Sequence, residues 1–152
     1  METRAVAGID RRVCGTCDRV HYIDPKVAVG VAVFRGDQLL LVRRSREPGR
    51  GRGSVPGGYV DIGRDPRAEA AREVREEAGV TVEVGAVIDV FHNPPDEGST
   101  VFVLYAARWL SGEPMAGDDA DDAGFFGRDE LPPLTFASTH AAVAEWPAGP
   151  KQ

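Results

Sequence analysis

The sequence predicts an α+β domain organised on a mixed β-sheet, and three observations carry that reading. β-branched runs recur at residues 27–33, 81–91 and 100–110, and such runs suit the pleated, packed surface of a strand. One segment between Asp65 and Gly79 has helical periodicity with its own start and stop signals. A second, shorter helical stretch follows Ser138, so helices are available to cover a sheet.

The chain has 152 residues, 42% apolar and 28% charged, which suits one globular domain with a proper core. A net charge of -6 and a pI near 5.1 argue against a partner that is a nucleic-acid backbone. No apolar run approaches the ~18 residues of a membrane span. Met1-Glu2-Thr3-Arg4 leads into no apolar stretch of the signal-peptide kind, and two cysteines make no disulfide framework, so a reduced, cytoplasmic setting is expected. The expected organisation is a lead-in over 1–25, a main domain over 26–147 and a tail over 148–152.

In chain order, residues 1–13 lack periodicity and read as a partly mobile lead-in. Cys14-Gly15-Thr16-Cys17 is half of a tetrahedral zinc site, with His21 close enough to add a third ligand and no fourth in reach; a pair of reduced thiols is the competing reading. Residues 26–34 and 38–43 flank the turn Arg35-Gly36-Asp37 and read as a strand hairpin. The loop over 45–54 is basic: Arg43, Arg44, Arg46, Arg50 and Arg52 stand against Glu47. Such a loop is either solvated or a phosphate contact, with Arg44 the favoured residue. Beyond the helix, 81–91 is strongly β-branched, over 81–84 and again over 87–91, and 92–99 reads as a turn containing Pro95. A further strand covers 100–110. The run Gly117-Asp118-Asp119-Ala120-Asp121-Asp122 reads as a solvated loop. Ser138 is expected to cap a last helix over 139–146.

The central segment is Gly57-Gly58-Tyr59-Val60-Asp61-Ile62-Gly63-Arg64 with the helix that follows. Asp65 is an N-cap, Pro66 suits the first turn and Gly79 closes the helix. At ~100° per residue, Glu69, Glu73, Glu76 and Glu77 share one fan, while Ala71, Val74 and Ala78 face a core. Like charges at such spacing repel by a few tenths of a kcal/mol per pair. A hard divalent cation with oxygen ligands turns that repulsion into binding. A bare Arg-Glu-x-x-Glu-Glu string also reads as a solvated face with Arg72 and Arg75 interspersed.

The full spacing resembles the Nudix box closely. Gly58, Arg72-Glu73-Val74, Glu76-Glu77, Gly79 and Val80 stand where that family has its glycine, Arg-Glu-aliphatic, Glu-Glu and Gly-aliphatic positions. Arg64 stands where the family has a Glu, and Gly53 where an aromatic often precedes the Pro-Gly-Gly element. Residues 14–27 look like the end of the zinc ribbon that precedes some Nudix domains. The resemblance implies the Nudix fold, an α/β/α sandwich with a mixed sheet.

It also implies Mg²⁺ or Mn²⁺ held by Glu73, Glu76, Glu77 and Gly57, with Glu73, Glu76, Glu77 and Arg72 as catalytic residues, and a distal acid near the metals, Asp119 or Asp122, because Asp122-Ala123-Gly124-Phe125-Phe126 looks like the family's acid-x-x-aromatic strand entry. Arg72 is expected to face away from the metal side and pair with an acid or a carbonyl. Arg44, Gly57, Gly58 and Pro95 are the expected substrate contacts, Pro95 because ADP-ribose pyrophosphatases of the family tend to carry a proline there. The implied reaction is hydrolysis of a nucleoside diphosphate linked to another group, ADP-ribose first, then another sugar nucleotide or an oxidised nucleoside triphosphate. The partners implied are a small nucleotide and a second copy in a homodimer. A guanidinium about 6 Å from a cation costs a few kcal/mol at an effective dielectric of ~20. Arg64 therefore leaves a second reading, a Nudix-fold nucleotide sensor without turnover.

Overall fold

Two strands carry the apolar runs that lie at the centre of the computed structural model, which describes residues 1–147. β4 (Lys26–Arg35) and β5 (Gln38–Arg44) form the expected antiparallel hairpin. Their side chains alternate between two cores. Val29, Val31 and Val33 with Leu40 and Val42 join one cluster, and Ala32 with Leu39 and Leu41 joins another.

One helix covers each face. α1 (Pro66–Ala78) places Ala70, Val74 and Ala78 in the first cluster. α2 (Ala137–Ala144) places Ala142 in the second, where the following Trp146 also packs. The layers are helix, sheet, helix, as expected. The sheet is mixed. β9 (Thr100–Ser111) runs parallel to β4, whereas β8 (Thr81–Asn93) runs antiparallel to β9 and β10 (Ala120–Phe126) antiparallel to β5. The strand order is β10-β5-β4-β9-β8, with β6 (Gly53–Ser54) on β5 and β7 (Gly57–Tyr59) on β4.

The lead-in departs from expectation. β1 (Glu2–Val6), β2 (Ile9–Val13) and β3 (Val20–His21) form a separate three-stranded antiparallel sheet. Ala7 and Gly8 both have positive φ, 51° and 79°, the backbone of a tight hairpin turn that suits the right-handed strand twist. The strands are polar and largely exposed, so main-chain pairing without a buried face leaves no periodicity to read.

Two smaller differences concern boundaries. The β-branched stretch 81–91 is one strand that runs on to Asn93, two residues into the expected turn, and it is bulged, with register shifts around Val84, Val87 and Asp89. Ser138 lies inside α2 and is buried, and Phe136 occupies the cap position, so the helix starts one residue before the hydroxyl expected to cap it. The expected tail, 148–152, lies outside the described residues.

Candidate active site

The loop from β7 into α1 is shaped by how close its backbone must come to neighbours. A Cβ on Gly57 would lie 2.2 Å from the Val29 carbonyl oxygen, and one on Gly58 would lie 2.5 Å from the Glu73 carboxyl carbon. Neither position tolerates a side chain without movement. The helix then begins as expected: the Ala68 N–H donates to Asp65 Oδ1 at 2.9 Å, and Gly79 ends it with φ 71°.

β7 and α1 meet around a cavity of about 410 Å³ lined by Gly57, Gly58, Tyr59, Arg72, Glu73, Glu76 and Glu77. Arg46 from the basic loop and Asp118 and Asp119 from the acidic loop complete its rim. The main-chain N–H of Gly57 donates to Glu77 Oε2 at 3.0 Å. Burial pushes Glu77 up to about 7, against the opposing pull of that hydrogen bond. Burial also raises Glu73, opposed by the charge of Arg72. Both carboxylates are poised to gain from a nearby positive charge.

Arg72 does not face away from the acids. Its Nε donates to Glu69 Oε1 at 2.5 Å, and Nη1 donates to both oxygens of Glu76 at 2.6 Å. Nη2 reaches Glu69 and, at 3.0 Å, Glu73. These bonds hold the guanidinium firmly protonated, Glu69 being the largest cause. On the helix wheel Arg72 lies just beside the fan, and its long stem carries the charge back over it. Glu69 itself is 3% exposed and does not line the cavity.

The other expected residues are distributed unevenly. Arg46 lines the cavity and pairs with Asp119 at 3.2 Å. Arg44 does not line it; its Nε donates to the Pro48 carbonyl at 2.6 Å and its guanidinium sits 4.9 Å from the Phe136 ring centre. Its charge still reaches Glu77, whose acidity it increases slightly. Pro95 lies in a short 3₁₀ turn between β8 and β9, away from the cavity lining. Of the two candidate distal acids Asp119 is on the rim and Asp122 is not. Asp118, which no sequence signal separated from its neighbours, is there as well, with φ 48°. Arg64 is exposed and stands outside the lining, so the positive charge expected beside a cation is turned to solvent. Gly53 leaves no void, because Pro132 Cγ lies 3.0 Å from where its Cβ would be.

The donor set is all carboxylate and main chain, which suits a hard divalent cation. Among the described residues no three His, Cys, Asp or Glu side chains already converge as a ligand group. Arg72 spans Glu73 and Glu76 and therefore occupies the charge that a cation would take. Cys14 and Cys17, both free, form no such group with His21 either. Hydrogen bonds from Thr16 and Cys17 lower Cys14 relative to an ordinary thiol.

Residues 24–147 match the NUDIX domain family. The chain belongs to the Nudix family. Its reaction class follows: it is a Nudix pyrophosphohydrolase. The chain is 32% identical over 117 residues to an ADP-ribose pyrophosphatase of Methanocaldococcus jannaschii, covering 76% of this chain and 69% of that one. It is 34% identical over 141 residues to the NAD-capped RNA hydrolase NudC of Pseudomonas aeruginosa, covering 87% of this chain and 48% of the relative. It thus spans about half the length of that second relative. A crystal structure of a NUDIX hydrolase from Nitrosomonas europaea superposes with a TM-score of 0.82 at 28% identity, covering 97% of this chain and 90% of the other. The Nudix domain also has no described helix long and apolar enough to cross a membrane.

Proposed function

We propose that this Nudix domain hydrolyses the pyrophosphate bond of ADP-ribose or a related nucleotide sugar with Mg²⁺ or Mn²⁺, releasing AMP and ribose 5-phosphate from ADP-ribose. The observation that carries the reading is that Glu73, Glu76 and Glu77 line one cavity, two of them with raised proton affinity. The similarity to the ADP-ribose pyrophosphatase supports the substrate class.

Glu73, Glu76 and Glu77 would hold the cation. When bound, it supplies neutralisation of the phosphate charge and a water acidic enough to attack near neutral pH. The rest is the work of the chain itself. Gly57 fixes Glu77 through its N–H, and Gly58 leaves room for the Glu73 carboxylate. A carboxylate oxygen of Glu73 or Glu76 accepts the proton of the attacking water. Arg46 offers a bidentate cation to phosphate at the rim, and Asp119, now paired with it, is released to the cavity when phosphate takes its place. Tyr59, 57% exposed and with Lys26 Nζ 5.0 Å from its ring centre, offers an aromatic face beside the phosphates.

The test is product analysis with the purified chain. ADP-ribose with Mg²⁺ is expected to give AMP, with turnover abolished by EDTA, and to exceed NADH and a nucleoside triphosphate run in parallel. Preferential cleavage of the triphosphate would overturn the substrate reading. Failure to cleave all three would overturn the activity toward this class.

A further inference from the structure

The box pattern has a Glu at position 64, where this chain carries an exposed Arg. A carboxylate outside the pattern, Glu69, is buried on α1 instead, the helix that follows Arg64. A carboxylate at 3% exposure is costly unless its partners are fixed. Its partner is Arg72, which bonds it through both Nε and Nη2. Glu69 is therefore held by Arg72 as tightly as it holds it.

The same guanidinium spans Glu73 and Glu76, and those two line the cavity whereas Glu69 does not. The three carboxylates are thus unequal. Glu76, with 41% of its side chain exposed, and Glu73, at 12%, can exchange Arg72 for a cation entering from solvent; Glu69 cannot. Arginine has five donors in a rigid fork, so bonds to Glu69 fix the direction of the ones that remain.

We infer that Glu69 is a positioning residue that anchors Arg72 to the helix, so that a divalent cation takes Glu73 and Glu76 from the guanidinium without freeing it to compete. This inference rests on the metal-dependent reading above. In the anchored state Nε and Nη2 stay committed to Glu69, and Arg72 borders the cavity as a fixed positive edge. Without Glu69 the guanidinium is left with Glu73 and Glu76 as its partners and opposes the cation for both.

The test is a double-mutant cycle with Glu69→Gln and Arg72→Gln, read by Mn²⁺ binding in electron paramagnetic resonance and by kcat and KM for ADP-ribose. Glu69→Gln is expected to weaken Mn²⁺ about tenfold and to lower kcat by roughly 10- to 100-fold, the range for groups that orient metal ligands, with KM changed by less than about threefold. In the Arg72→Gln background the same substitution is expected to have no further effect on Mn²⁺, because the residue through which it acts is gone. The Nε–H resonance of Arg72 is expected to exchange slowly in the wild type with and without Mg²⁺, and at the solvent rate in Glu69→Gln. Glu69→Asp, which keeps the charge, gives an intermediate loss and serves where Glu69→Gln does not fold. A folded Glu69→Gln with Mn²⁺ affinity within about twofold of wild type would overturn the inference, as would effects that multiply in the double variant. A wild type that binds Mn²⁺ but cleaves no ADP-ribose overturns the substrate reading alone, since the Mn²⁺ cycle and the Nε–H exchange still decide the role of Glu69.

Discussion

Two acidic regions border the same cavity, and they differ in kind. On α1, Glu73 and Glu77 are partly buried, carry raised proton affinities and are tied to Arg72 and the Gly57 N–H. In the loop before β10 and at the start of that strand, Asp118, Asp119, Asp121 and Asp122 are packed more densely along the chain, yet they form exposed pairs such as Asp121 with Arg43 at 2.5 Å and Asp119 with Arg46. Exposed pairs are screened and contribute little. The contrast teaches that burial and a rigid helix, rather than acid density, prepare carboxylates for a cation.

The comparison can be broken most forcefully at Glu77 and Glu76. Glu77→Gln or Glu76→Gln is expected to lower kcat on the order of 10²- to 10³-fold, with nucleotide binding retained and measured by calorimetry. A loss of binding in step with kcat would show that these acids serve affinity and not the chemical step. Next comes Gly58→Ala, whose new methyl must displace the Glu73 carboxylate. A drop of roughly tenfold in kcat with an unchanged unfolding midpoint is expected.

The rim should respond less. Asp119→Asn and Arg46→Ala are expected to change kcat/KM by about three- to tenfold, the latter mainly through KM, while Asp122→Asn, off the lining, stays within about twofold. Arg64→Glu is expected to have the smallest effect, also within about twofold, because Arg64 faces solvent. A rise beyond about tenfold would restore the expectation that its charge opposes the cation.

Stability without metal sharpens the same contrast. Glu77 in the folded chain is raised to about 7 by burial, above its value in an unfolded chain. The native state therefore keeps a proton that the unfolded state has released, and stability falls as pH rises from the ordinary carboxylate range to about 7. The loss is at most about 3 kcal/mol. In EDTA, urea midpoints are expected to be higher at about pH 5 than at about pH 7.5, and Glu77→Gln is expected to flatten the difference.

Much of this was legible because it is local. The Asp65 cap, Pro66, the Gly79 stop and the fan of glutamates are properties of one helix, and α1 reproduces them. The β4–β5 hairpin announces itself through two continuous apolar runs on either side of a turn. What escaped depends on distant chain. The polar β1–β3 sheet has main-chain pairing and no buried face to imprint a period. The direction of Arg72 depends on its stem as well as on its place on the wheel. The choice of Arg46 over Arg44 for the rim follows from Arg44 being held by Pro48 and Phe136, the second of which is 92 residues away in sequence. Asp118 reaches the rim through a positive φ that its sequence context does not announce.

The most direct measurement of the central claim is a Mn²⁺ binding isotherm for the wild type, Glu77→Gln and Asp122→Asn at one pH and ionic strength. The account predicts at least a thirty-fold weakening, on the order of 2 kcal/mol, for Glu77→Gln and a change within about twofold for Asp122→Asn. Equal weakening by the two variants would contradict it, because the exposed Asp122 would then hold the cation as much as the partly buried Glu77 does.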